Sequence, residues 1–209
     1  MKVIVDGNQN FALEGSPANV LAAVAAANKF LRDRGRAIMS LKADGKDIPY
    51  SELNEELGER AVEDVDVLEI ESADIGQLVD EALRELEKAL PDLPVACRSL
   101  AAVFQGESPQ DGFEPFQSLA EIWRHVKTRE LHVASAINLN LGACELQSKT
   151  IENHHEELNR FLEEAAQAME SRDTVLLGDL LEYELAPRAD LESEIVALLK
   201  QHAGERPAS

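Results

Sequence analysis

Val3-Ile4-Val5-Asp6-Gly7-Asn8, with Phe11-Ala12-Leu13-Glu14 behind it and Gly15-Ser16-Pro17 closing it, is the stretch on which the reading of this 209-residue chain turns. Val3, Ile4 and Val5 form a β-branched run, and such side chains fit a pleated, half-buried surface. Asp6-Gly7-Asn8 supplies turn chemistry, so the two short runs predict a β-hairpin. Ser16 is an N-cap residue and Pro17 suits the first helical position. The predicted helix runs through Ala- and Leu-rich sequence to Gly35, a C-terminal stop. Val20, Val24, Ala27 and Leu31 recur on one face, with Leu21 and Phe30 beside them.

Alternation returns at Ala37–Ala43, where Ile38, Ser40 and Lys42 oppose Met39, Leu41 and Ala43. Asp44-Gly45-Lys46 is a turn signal. Ile48 predicts a very short strand before Pro49, Ser51 a cap for a helical turn over Glu52–Leu57, and Val65–Glu71 a last strand. The order is strand, strand, long helix, strand, short strand, helical turn, strand. Over residues 1–72 it resembles the ubiquitin-like β-grasp domains. Modifiers and sulfur carriers of that fold end in a free Gly-Gly tail. Here Ser72-Ala73-Asp74 leads into more than a hundred further residues without a glycine pair. The resemblance therefore implies a docking platform rather than conjugation or sulfur transfer.

From Asp74, an N-cap candidate, the period becomes helical: Ile75, Leu78, Val79, Ala82, Leu83, Leu86 and Leu90 fall three and four apart. Pro91 and Pro94 are expected to break this helix, and a second is expected over Ala96–Phe104. Residues 105–115 form a polar Gly/Pro loop, and a further helix covers Phe116–Val126. After Thr128 a longer stripe begins, from Ala134, Ile137, Leu141 and Cys144 through Ser148, Ile151, His155 and Leu158 to Met169. It predicts one helix of about 40 residues, about 60 Å long, packed in a bundle or paired as a coiled coil with a second copy. A shorter helix carries Val175, Leu176, Leu177, Leu180, Leu181 and Leu185 and is stopped or kinked by Pro187. A last one carries Leu191, Ile195, Leu198 and Leu199, and the tail 204–209 is expected to be disordered. The predicted class is α+β: a ubiquitin-like β-grasp domain at 1–72, then an all-α helical bundle at 73–203 with one long helix.

Composition narrows the function. Forty Asp and Glu outweigh 20 Lys and Arg, a net charge of −20. Residues 1–73 hold 8 basic and 14 acidic side chains, net −6; residues 74–209 hold 12 and 26, net −14. Such a chain repels phosphate backbones and anionic lipid, so neither nucleic acid nor membrane is an expected partner. It attracts basic partners. Cys97 and Cys144 form no CxxC or Cys/His spacing and sit among apolar neighbours, which fits free thiols in a reducing, cytoplasmic setting. The N-terminus has no signal-peptide pattern and no stretch has 18 apolar residues.

Sites of chemistry are sparse. Glu152 and His155 are the metal-ligand candidates, because Glu-x-x-His puts both groups on one helical face and two such pairs build di-iron sites in bundles. No second copy of the motif occurs, and Glu121 with His125 has a different spacing. His155 otherwise reads as a hydrogen-bonded polar residue in a seam, and His154 as solvated. His125 and His132 are seven apart but separated by Lys127-Thr128-Arg129, which reads as a helix junction. Glu156-Glu157 and Glu163-Glu164 read as solvated faces. Asn138 and Asn140 read as exposed positions on the long helix. There is no Gly-x-Ser-x-Gly elbow and no phosphate-binding glycine loop, and no cofactor is expected.

The segment Phe161–Asp173, followed by Leu176–Glu182, resembles the helix–turn–helix of bacterial flagellar export chaperones, small acidic helical proteins that hold amphipathic client helices. These features together lead us to expect a non-catalytic interaction or adaptor protein. Its β-grasp platform would dock a protein, and its helices would bind a basic or amphipathic partner or form a homodimer through the long helix. A helix-binding export-type chaperone and a metal-binding helical-bundle enzyme with its site near His155 are the alternatives.

Overall fold

A computed structural model describes residues 1–9, 11–13 and 15–205. The chain divides into two compact units, residues 1–78 and a helical unit from Val79 onward.

The first unit holds a mixed four-stranded sheet with a helix against it. Strand β1 (Lys2–Val5) ends in a tight turn in which Asp6 and Gly7 both take positive φ, 50° and 75°. Val5 and Asn8 make a lone bridge across it. No second hairpin strand pairs with β1 among the described residues. Phe11–Leu13 carries no strand pairing, and Glu14 lies outside the described residues. Phe11 instead packs edge-on against Phe30, 4.9 Å between ring centroids. That contact draws the segment towards the helix and away from the edge of β1.

Helix α1 (Val20–Arg32) starts three residues later than the Ser16 cap implied. Asn19 is the N-cap, accepting from the Ala22 amide at 2.8 Å while its own amide donates to the Gly58 carbonyl. Its buried face is Val20, Ala23, Val24, Ala27 and Leu31; the two alanines let the helix approach the sheet closely. Strand β2 (Arg36–Ala43) and the two-residue β3 (Lys46–Asp47) form a hairpin about Asp44-Gly45, both at positive φ, as a two-residue turn requires. Helix α2 (Leu53–Leu57) leads to β4 (Val67–Asp74). Strand β4 lies parallel to β1 (Val3↔Leu68, Val5↔Ile70) and antiparallel to β2 (Leu41↔Ile70), so the order is β1-β4-β2-β3. The register of β2 shifts between Ile38 and Ser40, a bulge at Met39. Val3, Val5, Leu41, Leu68 and Ile70 meet the α1 face in one core; each large side chain buried there contributes about 1.5–3 kcal/mol. Asp6 ties three strands together, accepting from the Ser72 amide at 2.7 Å and hydroxyl at 2.6 Å and pairing with Arg36. Partial burial pushes its carboxyl up, but the Ser72 and Arg36 contacts outweigh that and hold it below the usual carboxylate range.

Strand β4 passes directly into α3 (Ile75–Ala89), the Asp74 carboxylate accepting from the Gln77 amide. Pro91 does not open a loop. It sits in the first turn of a 3-10 segment (Leu90–Asp92), and Pro94 in the first turn of α4 (Leu93–Phe104), where a missing N–H costs nothing. Helix α5 runs unbroken from Phe113 to Ala136, so Lys127-Thr128-Arg129 is no junction.

The single long helix does not exist. Helix α5 stops where Asn138 takes φ 54° and the Leu139 amide bonds back to the Ala134 carbonyl, a left-handed termination that asparagine tolerates. Asn140 then caps a 3-10 turn through the Gly142 amide. Strands β5 (Glu145–Leu146) and β6 (Lys149–Thr150) make a small hairpin, and Thr150 caps α6 (Ile151–Ser171) by accepting from the Asn153 amide. The stripe expected to pair as a coiled coil is thus split between two helices.

Arg172, at φ 57°, closes α6, and Asp173 caps α7 (Thr174–Asp179). A π segment (Leu180–Leu185) and α8 (Ala186–Gly204) continue it without a gap. Pro187 neither stops nor separates the run. A proline has no N–H for the Tyr183 carbonyl and crowds it. The wider turn, in which the Ala186 amide reaches the Leu181 carbonyl, makes room. Of the tail, Gly204 belongs to α8 and residues 206–209 lie outside the described residues. Trp123, Leu86, Leu90, Ile151, Leu158, Leu177, Leu181 and Leu185 are fully buried in this unit. No described helix is long and apolar enough to cross a membrane.

Candidate functional site

Two features stand apart from ordinary packing, one in each unit. The first is a polar cluster inside the helical unit. Lys127 and Glu130 lie one turn apart on α5, with His155 on α6 and Glu192 on α8. The Lys127 ammonium donates to Glu192 Oε1 at 2.7 Å and to Glu130 Oε2 at 3.0 Å. His155 Nε2 lies 3.2 Å from Glu130 Oε2, too far off line to count as a hydrogen bond, and it is left without one. Glu130 is 0% and Glu192 3% exposed.

Burial sets the protonation of this group. Desolvation first, and the neighbouring Glu130 carboxylate second, push the Glu192 carboxyl up to about 8 against the pull of Lys127. Desolvation and the Lys127 charge push His155 down to about 4. Near neutral pH the cluster therefore holds a neutral His155 and a protonated Glu192. Glu130 Oε1 and Glu192 Oε2 have no hydrogen-bond partner among the described residues.

Sequence reasoning reached only His155 of this set. Glu130 and Glu192 carry a legible signal all the same. Glu130 occupies a core-spaced position in the series Trp123, Val126, Glu130, Val133, and Glu192 does so in Ala189, Glu192, Ile195, Leu199. A carboxylate at such a position must find a partner. Glu152, the other metal candidate, is exposed and its carboxylate lies against Gly142. The lysine ammonium fills the place a cation would take between the carboxylates. No group of three or more His, Cys, Asp or Glu among the described residues is arranged to hold a metal.

The other candidates scatter. Glu121 is bound by Arg124, and His125 and His132 are exposed on the continuous α5. His154 is half-buried rather than solvated, its Nε2 3.0 Å from the Leu146 carbonyl of the β5–β6 hairpin. Glu163, Glu164 and Glu156 face solvent or its margin. Glu157 pairs with Arg188 and Lys149. Cys97 is buried, which pushes its thiol up to about 11, with the Trp123 indole pulling the other way. Burial raises Cys144 too.

The second feature is a groove of about 420 Å³ in the first unit, between α1, β2 and the chain at residues 48–53. Leu21, Val24, Ile38, Leu41 and Leu53 line it. Met39, 58% exposed, and Tyr50, 88% exposed, stand at it. Strand β3 pairs only with Lys42 and Ala43, and the Leu41 carbonyl accepts from Ile48. The outer edge of Ala37–Ser40 therefore carries no strand among the described residues. Arg32 is the one charged residue lining the groove. None of the four cluster residues lines it.

The model of a domain family of unknown function (DUF8042) matches residues 81–191, just over half of the chain. No curated protein and no solved structure matches the chain.

Proposed function

This chain belongs to the DUF8042 family, and we propose that it is a non-catalytic adaptor whose first unit, a β-grasp domain, docks an extended segment of a partner protein in the groove beside β2. The observation that carries this reading is the coincidence of an apolar groove, two large exposed apolar side chains and an unpaired strand edge in one place. An extended segment laid along Ala37–Ser40 gains main-chain hydrogen bonds from the edge and side-chain burial from the groove. Exposed edges are normally blunted by charge; Met39 and Tyr50 do the opposite. The order β1-β4-β2-β3 with α1 across one face supports a β-grasp assignment. Strand β4 runs into α3 without a free tail, which favours docking over conjugation. Catalysis has less support: the one set of strongly perturbed titratable groups is buried, and its cation is already a lysine. The net charge of −20 argues against nucleic acid and anionic lipid as partners, and two buried free cysteines suit the cytoplasm.

The test is selection of a displayed random-peptide library on the full-length chain, repeated on the double variant Met39→Asp with Tyr50→Asp. Both positions are exposed, so the variant keeps its fold. The expected result is a family of peptides with alternating apolar residues that bind the natural chain and lose at least about tenfold in affinity to the variant. Peptides that bind both proteins equally would refute the assignment.

A further inference from the structure

A second groove, of about 510 Å³, lies in the helical unit between α4 and α5. Leu100 and Leu119 form its buried floor. Ile122, 44% exposed, stands on its rim, and Val95, 60% exposed, is next to the rim residue Ala96 on α4. Apolar surface held in water in this way is recovered when a partner covers it. Asp111 and Glu114 line the same groove, and neither carboxylate has an ion-pair partner among the described residues. Between positions 92 and 122 the acids are Asp92, Glu107, Asp111, Glu114 and Glu121. The one base is Arg98, and Asp190 already neutralises it. An apolar floor with a negative rim calls for an apolar stripe flanked by positive charge.

The walls decide the partner's conformation. Both are helices, so an extended segment would find no strand edge here to satisfy its backbone. A helix brings its backbone bonds with it. From Pro115 to Ile122 the groove follows α5 for eight residues, about 10 Å, which seats about two helical turns with anchors spaced three or four apart. We propose that the α4–α5 groove docks a basic amphipathic helix of a partner protein, its apolar stripe on Leu100, Leu119 and Ile122 and its Lys or Arg side chains against Asp111 and Glu114. The surface lies on the other unit and stands or falls independently of the β2 groove.

The probe is a synthetic amphipathic helical peptide of leucine and lysine, titrated by fluorescence anisotropy into the full-length chain, with a leucine–glutamate peptide of the same pattern as control. The lysine peptide is expected to bind and the glutamate peptide not. The double variant Asp111→Lys with Glu114→Lys is expected to weaken binding about tenfold or more. Glu163→Lys with Glu164→Lys, the same charge change on exposed positions of α6, is expected to leave it within about twofold. Ile122→Ser is expected to weaken it without altering the salt dependence. No binding of the lysine peptide, or equal losses in the two charge-reversed variants, would overturn the proposal, the second because binding would then follow net charge alone.

Discussion

Replacing Glu192 with glutamine should change how the helical unit's stability depends on pH, and the size of the change follows from its burial. The carboxyl is pushed from an ordinary 4.5 up to about 8. Below pH 4.5 it is protonated in folded and unfolded chains alike, and its stabilising balance is fully present. From there to pH 8 the unfolded chain gives up a proton that the folded chain keeps. Stability then falls by about 1.4 kcal/mol per pH unit, about 5 kcal/mol in all, and levels off above pH 8. His155 works in the opposite sense. Pushed down from 6.5 to about 4, it contributes stability that is present above pH 6.5 and lost as pH falls through 4, about 3 kcal/mol. Between pH 4.5 and 6.5 the two slopes cancel, so these groups leave a plateau there and a decline above it. Glutamine has the shape of the protonated acid and no proton to lose. Glu192→Gln should match the natural chain near pH 4.5 and become progressively more stable up to pH 8. Urea unfolding at half-unit pH intervals reads this directly, because the single tryptophan, Trp123, is fully buried in the same unit. Parallel curves for the two proteins across that range would refute the assignment of a raised carboxyl to Glu192.

Asn138 holds a left-handed conformation at the end of α5. Asn138→Gly is expected to be neutral or slightly stabilising, and Asn138→Val to cost about 1–2 kcal/mol, measured by the same urea unfolding; equal effects would deny the strain. The buried Cys97 thiol, raised to about 11, is expected to react with a disulfide reagent at neutral pH only as fast as the helical unit opens, so labelling should accelerate with urea. Rapid labelling of Cys97 in the native protein, located by peptide mapping, would contradict its burial.

Much of the first unit was legible because its signals are local. The α1 face and the alternation of β2 each need only their own residues, and Asp44-Gly45 names its turn. The second hairpin strand was misread because Phe11 had a better partner in Phe30 than the edge of β1 offers, and no local pattern shows that. The long helix was misread for a different reason. Ile137, Leu141, Cys144 and Ser148 continue the spacing of the true helices across a break, so periodicity ran on where structure stopped. The breakers were present in the sequence: Asn138, Asn140 and Gly142 fall within five residues, and Thr150 is a good cap. Each is tolerable singly in a helix at a cost of about 1 kcal/mol or less. Together, with a capping residue behind them, they outweigh a weak apolar stripe. Pro187 shows the converse. A residue expected to stop or kink a helix is absorbed by a π turn, because Leu180, Leu181 and Leu185 are all buried and breaking the run would expose them.

The polar cluster also bears on why the docking surfaces we propose lie elsewhere. Strongly perturbed acids and bases often mark reaction centres, and His155 and Glu192 are such groups, but their neighbours in the structure are one another and Lys127. The Glu130 and Glu192 carboxyl groups both meet the Lys127 ammonium, and the His155 imidazole lies beside Glu130. What the arrangement does accomplish is positional. Lys127 joins α5 to α8, and His155 of α6 lies 3.2 Å from Glu130, so a slip of α8 against α5 by a turn would leave buried polar groups unpaired, at a cost of about 1–3 kcal/mol. An apolar seam of Leu and Ala tolerates such a slip far better. On this argument the cluster fixes α8 against α5, and with them the α5 face that carries Leu119 and Ile122. The α4–α5 surface we propose for docking is one where apolar side chains stand in water beside unpaired carboxylates.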